Sequence, residues 1–150
     1  MPIKLSWRNC FWLILPLLAW NLALGAQLAD PRIASDAFSP KWLLVIENLT
    51  RFVVFAFPIL LPLRWSDALS KTGLAIYVVG ILIYFAAWLP LLLAPGSAWS
   101  NSPAGLLAPR LTPFLPFLGI AMAGHSWPYG MVSMLFIFFH TWHGVQNLPA

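Results

Sequence analysis

The sequence predicts an all-α integral membrane protein, a compact bundle of five transmembrane helices forming one domain over residues 1–150. Three observations carry this expectation. Hydrophobic residues make up 61% of the chain and charged residues 8%, and the mean hydropathy is +0.82, outside the range of soluble globular domains. Apolar runs recur that approach the roughly 20 residues needed to cross about 30 Å of hydrocarbon. Trp and Tyr stand near the ends of several runs, where amphipathic rings mark the headgroup levels. The net charge of +4 comes from eight Lys and Arg against four acids, spread without a basic run or an Arg-aromatic stripe, which argues against a nucleic-acid surface.

The first expected span covers residues 10–28, after Lys4 and Arg8. The small residues of "ALGAQLA" make a cleaved signal peptide the alternative, whereas Trp20, Asn21 and the length of the run favour a retained span. The single cysteine, Cys10, forms no internal disulfide and lacks the small residues that precede a lipoprotein cysteine. The second span, residues 42–63, is bracketed by Trp42 and Trp65, and the third, residues 73–94, is the cleanest. The segment "PGSAWSNSPAGLLAPR", residues 95–110, reads as a long loop of the kind that serves as a lid or binding loop. Residues 111–124 supply about 21 Å of helix and contain Pro113 and Pro116. They cross a thinned bilayer as a fourth span or dip in and return, which makes four spans plus a re-entrant segment the alternative architecture. "GHSWPYG", residues 124–130, has the Gly and Pro of a turn and leads into the last span, residues 129–145, with Trp127 and Trp142 near its ends.

Five crossings put Lys4, Arg8, Arg64 and Lys71 on one side and Arg32, Lys41 and Arg110 on the other. The positive-inside rule then favours a cytoplasmic N-terminus in the inner membrane by a single charge. Pro16, Pro58 and Pro90 bend their helices, and Gly119 with Ala123 forms a small-xxx-small pair suited to close helix packing.

Charge inside the runs locates a candidate site. An ionisable side chain at mid-bilayer costs about 2.5–3.5 kcal/mol on insertion scales, so it faces protein or a wet cavity. Glu47 and Arg51 stand at i,i+4 in the favourable order, with Asn48 on the same face, at depths of about 7 and 13 Å from Trp42. The bland alternative is an ion pair that registers the helix against its neighbours; the functional reading is a ligand or proton site. On the last span His140 and His143 are i,i+3, within a polar stripe that runs through Ser133, Gly144 and Asn147. Two imidazoles at this spacing can reach one metal ion, although Thr141 rules out an HExxH motif, and interfacial anchoring is the bland alternative.

With an odd number of crossings His140 lies level with Glu47, and Asn21, Tyr84 and the 95–110 loop fall in the same half of the bundle. The expected ligand-binding set is therefore Glu47, Asn48, Arg51, Asn21, Tyr84, His140 and His143, with His140 and His143 as candidate metal ligands. His125 lies in the turn at the opposite side, so distance argues against a bis-histidine haem within the chain. No GxSxG, Walker loop, carboxylate dyad or Cys-rich metal site is present, and Asp30, Asp36 and Asp67 read as solvated loop charges. The expected function is binding of an amphipathic or lipid-like ligand in an intramembrane pocket, with no cofactor beyond a metal ion at the histidines. The alternatives are a membrane enzyme using the His/Glu/Arg set, or an accessory subunit of a homo- or hetero-oligomer in the bilayer.

Overall fold

Three polar side chains start three of the helices. Asp67, Ser102 and Ser126 each accept a hydrogen bond from the backbone N–H three residues on, at Ser70, Gly105 and Tyr129, which satisfies a donor the helix itself cannot. Pro103 and Pro128 stand first and second after two of these caps, in the opening turn where a missing N–H costs nothing. The structure, a computed structural model, describes residues 8–24 and 39–148. Among them are α1 (Phe11–Ala23), α2 (Lys41–Ala56), α3 (Ala68–Leu93), α4 (Pro103–Leu111), α5 (Phe114–Ala123) and α6 (Trp127–Gln146). No strand occurs among the described residues.

Three stretches are long and apolar enough to cross a membrane: Lys41–Leu60, Ala68–Leu93, and α4 and α5 taken together as Pro103–Ala123. The expected bend at Pro58 takes the form of a 3-10 turn, Phe57–Leu60, that finishes the first of these. Pro16 and Pro90 lie inside α1 and α3. The helix α1 is apolar but has 13 residues, and residues 25–28 of the expected first span lie outside the described residues. The helix α6 has 20 residues, yet Thr141, His143 and Gln146 make its last turns polar.

The expectation of a loop over 95–110 and a span over 111–124 needs correction, because α4 begins at Pro103 within the supposed loop. The Ser102-Pro103 pair is a helix-start signal, and it moves the start of the helix from the expected residue 111 back to Pro103. The helical stretch from Pro103 to Ala123 thereby reaches 21 residues, broken only near Thr112 and Pro113.

Contacts fix the direction of each helix. Gly73 lies against Gly119 and Ala123, and Gly80 against Pro116, so α3 and α5 run antiparallel. Phe117 meets Phe136, and Gly144 meets Leu107 and Arg110, so α6 returns along α5 and α4. Trp42 packs edge-on against Trp142, setting the start of α2 beside the end of α6. A short backbone clasp, Cys10 N–H to Leu61 O at 2.8 Å and Leu63 N–H to Arg8 O at 3.0 Å, ties the start of α1 to the segment that directly follows the first stretch. Ile14, Leu17, Phe117, Ile120 and Tyr129 form the buried centre, whereas Phe52, Leu82, Met134 and Phe138 face outward. An apolar exterior around an equally apolar core is what a lipid solvent permits.

Candidate functional site

The buried carboxylate of Glu47 is the focus of the site. Glu47 is 1% exposed, on the face of α2 that packs against α6. Arg51, one turn further along α2, ion-pairs with Oε1 through Nη2. His140 Nδ1 approaches the same oxygen at 2.8 Å, and His143 Nδ1 approaches Oε2 at 2.6 Å. The spacing explains the geometry: residues four apart on α2 and three apart on α6 share a face, so four side chains converge across one helix pair.

A carboxylate only accepts, so both imidazoles donate through Nδ1 and turn Nε2 away from it. The His140 ring is further held by stacking on Phe136 at 5.2 Å, and the Arg51 guanidinium lies 5.9 Å from the centre of the same phenyl ring. Asn48 is exposed and accepts from Arg51 Nη1 at 3.3 Å, making it a rim residue. Where α2 starts and α6 ends, Asn147 donates to Ser39 Oγ at 2.7 Å and to His143 O at 2.9 Å, continuing the polar stripe read from the sequence.

Two expected members sit elsewhere. Tyr84 donates to Asn21 Oδ1 at 3.0 Å, and Asn21 Nδ2 donates to Leu17 O at 2.8 Å, so these two residues join α1 to α3. No hydrogen bond or ion pair among the described residues connects them to Glu47. Depth along a helix was legible in the sequence, but which way each residue faces around the bundle was not.

One residue of the site escaped the sequence. Arg110, 6% exposed near the end of α4, donates through Nη1 to His140 O at 3.1 Å, and its stem packs on Gly144. The misplaced helix boundary put Arg110 in a loop. Its signal was a lone arginine adjoining an apolar run, the same signal that identified Arg51.

Among the described residues no three His, Cys, Asp or Glu side chains are placed to hold a metal ion. Ligands on a tetrahedral metal with bonds of about 2.0–2.1 Å stand about 3.3 Å apart. The 2.8 and 2.6 Å separations here are those of hydrogen bonds. A metal ion at the pair would be met by Nε2.

A second polar cluster closes the opposite end. His125 Nε2 lies 2.9 Å from Asp67 Oδ1 and 3.0 Å from Ser70 Oγ, while Ser70 Oγ also donates to Asp67 Oδ2 at 2.9 Å. Asp67 is thus more than the solvated loop charge expected from sequence: it caps α3 and clasps the turn before α6. The three residue types are those of a hydrolytic triad, but the arrangement is not. A triad needs the Ser and the Asp on opposite ring nitrogens, whereas here both address Nε2 and Ser70 is fully buried. His125 adopts φ 51°, a left-handed conformation that the clasp holds in place.

No family model, no curated protein and no solved structure matches the chain.

Proposed function

We propose that the chain is a five-span integral membrane protein whose α2–α6 site binds an amphipathic, lipid-like ligand by its polar head. The observation that carries this reading is the buried Glu47 carboxylate shared by Arg51, His140 and His143. The Arg51 side chain is 43% exposed while that of Glu47 is 2% exposed, so the cluster presents a cation outward from a buried acid. Leu49 and Phe52, exposed beside Arg51, offer apolar surface to a tail. The head accepts hydrogen bonds from Arg51 and, across the interface, meets His140, with Asn48 at the rim.

The alternating directions of α1, α2, α3, α4–α5 and α6 support the five-span topology. Among the described residues Arg8, Arg64 and Lys71 gather at the end where α1 begins, and Lys41 and Arg110 lie towards the other. This distribution supports a cytoplasmic N-terminus in the inner membrane.

The test is mass spectrometry of amphiphiles that co-purify with the full chain in detergent. The wild type retains a defined amphiphile, Arg51→Gln loses it, and His140→Gln retains it. Equal content in wild type and Arg51→Gln would sink the proposal.

The Nδ1 geometry favours one second reading, a membrane enzyme in which Glu47 orients His140 as an acid or base. A carboxylate on one ring nitrogen sets the tautomer that leaves the other nitrogen to act. In that case turnover of the co-purifying amphiphile depends on His140. If a metal ion takes part, the purified protein contains it in stoichiometric amount and His143→Ala removes it.

A further inference from the structure

The end of the molecule opposite Glu47 carries an open groove of about 670 Å³ lined by Arg8, Trp12, Leu13, Leu63 and Trp65. We infer that this groove binds an anionic diacyl phospholipid, its phosphate on Arg8 and one acyl chain along Leu13 and Leu63.

The groove is built by the backbone. The Leu63 N–H donates to Arg8 O at 3.0 Å, and Asn9 forms an antiparallel bridge with Pro62. The clasp therefore sets the arginine beside the leucine floor and aligns the first turn of α1 with the segment that precedes α3. Trp12 and Trp65 are 50% and 59% exposed, so two indoles flank the floor without filling it. Indoles with a polar edge and an apolar body settle at the headgroup level of a bilayer. The volume falls in the range that holds one small amphiphile.

Charge chooses the lipid. Arg64, between two lining residues, and Lys71, one turn into α3, are exposed at this end and add to Arg8. The acid described nearby, Asp67, has its oxygens engaged by Ser70 and His125. Arg64 and Lys71, two exposed cations at this end, favour a headgroup with net negative charge over a zwitterion. A guanidinium suits phosphate in particular, because its forked donors match two phosphate oxygens. The apolar floor and paired indoles select a lipid over free phosphate.

This inference concerns the end of the bundle away from the α2–α6 site, so the two proposals fail independently. The experiment places the full chain in nanodiscs of equimolar phosphatidylglycerol and phosphatidylcholine, releases it, and counts the lipids retained by native mass spectrometry. The wild type retains phosphatidylglycerol over phosphatidylcholine by roughly fivefold or more at low salt, and the preference falls as salt rises. Arg8→Gln and Trp65→Ala each lower the ratio at least threefold, while Lys41→Gln at the other end leaves it unchanged. Equal retention of the two lipids by the wild type, a test that needs no variant, would overturn the inference. So would a loss in Lys41→Gln as large as that in Arg8→Gln.

Discussion

At the scale of single residues, Glu47 carries more of the α2–α6 interface than Arg51 does. Removing the carboxylate leaves a guanidinium and two imidazole N–H groups without their acceptor, whereas removing Arg51 leaves a carboxylate still held by both histidines. Breaking a buried pair from its buried side costs about 3–5 kcal/mol, while a half-exposed partner is worth about 1 kcal/mol or less. Glu47→Ala is therefore expected to lower unfolding stability in detergent by about 3 kcal/mol, and Arg51→Ala by about 1 kcal/mol. Equal losses would show that Glu47 does not organise the interface.

Asp67 gives a pH-dependent counterpart outside the spans. The backbone N–H of Ser70, with the Ser70 hydroxyl and His125, holds its carboxyl at about 2, below the ordinary 3.8. A depressed pKa means that the unfolded chain takes up the proton first as pH falls. The stabilisation from Asp67 is thus complete above its ordinary value and disappears as pH drops through about 2. Melting curves of wild type and Asp67→Ala should differ at pH 6 and converge towards pH 2. A difference as large at pH 2 as at pH 6 would mean that the charge of Asp67 contributes nothing to the clasp.

At the scale of elements, the pairing of α3 with α5 shows how far small residues determine helix contact. A Cβ added at Gly119 would lie 2.6 Å from Gly73 O and Tyr77 N, and one added at Gly73 would lie 2.7 Å from Gly119 O and Ala123 N. In lipid no hydrophobic force drives two apolar helices together, so this close backbone approach supplies the dispersion contacts that do. Gly119→Val is expected to cost about 1–3 kcal/mol through forced separation of the helices. Gly96→Ala, with nothing within 4 Å of the added carbon, should be neutral. Thermal unfolding of the two variants checks the contrast.

The Gly119 and Ala123 spacing was readable in the sequence because it repeats once per turn on one face. The partner glycines on α3 were not, since nothing local in Gly73 or Gly80 names the helix they meet. The same asymmetry governs the site. Glu47, Arg51, His140 and His143 announced themselves as polar groups at helical spacing in apolar runs. Arg110 was hidden because the polar, proline-bearing run from Pro95 to Pro109 looks like a loop, although Ser102 caps a helix within it.

At the scale of the whole molecule, one measurement joins the topology to the site. Glu47 near the start of α2 can meet His140 and His143 near the end of α6 only if the chain from α2 through α6 crosses the bundle an even number of times. The antiparallel pairs α3–α5 and α5–α6, together with a stretch of 21 residues from Pro103 to Ala123, support α4 and α5 acting as one crossing. Single cysteines test this in a Cys10→Ser background, at three exposed positions: Ser66 before α3, Ala98 after it, and Gln146 at the end of α6. In oriented membrane vesicles Ala98→Cys and Gln146→Cys should react with an impermeant maleimide from the same side, and Ser66→Cys from the other. If Gln146→Cys instead reacts with Ser66→Cys, the α4–α5 segment turns back within the bilayer. The histidines then lie in the opposite leaflet from Glu47, and both the shared carboxylate and the ligand site built on it are lost. Agreement would place the basic groove and the acid-imidazole cluster in opposite leaflets. The anionic headgroup proposed for Arg8 and the ligand proposed for Arg51 would then enter from opposite sides of the membrane.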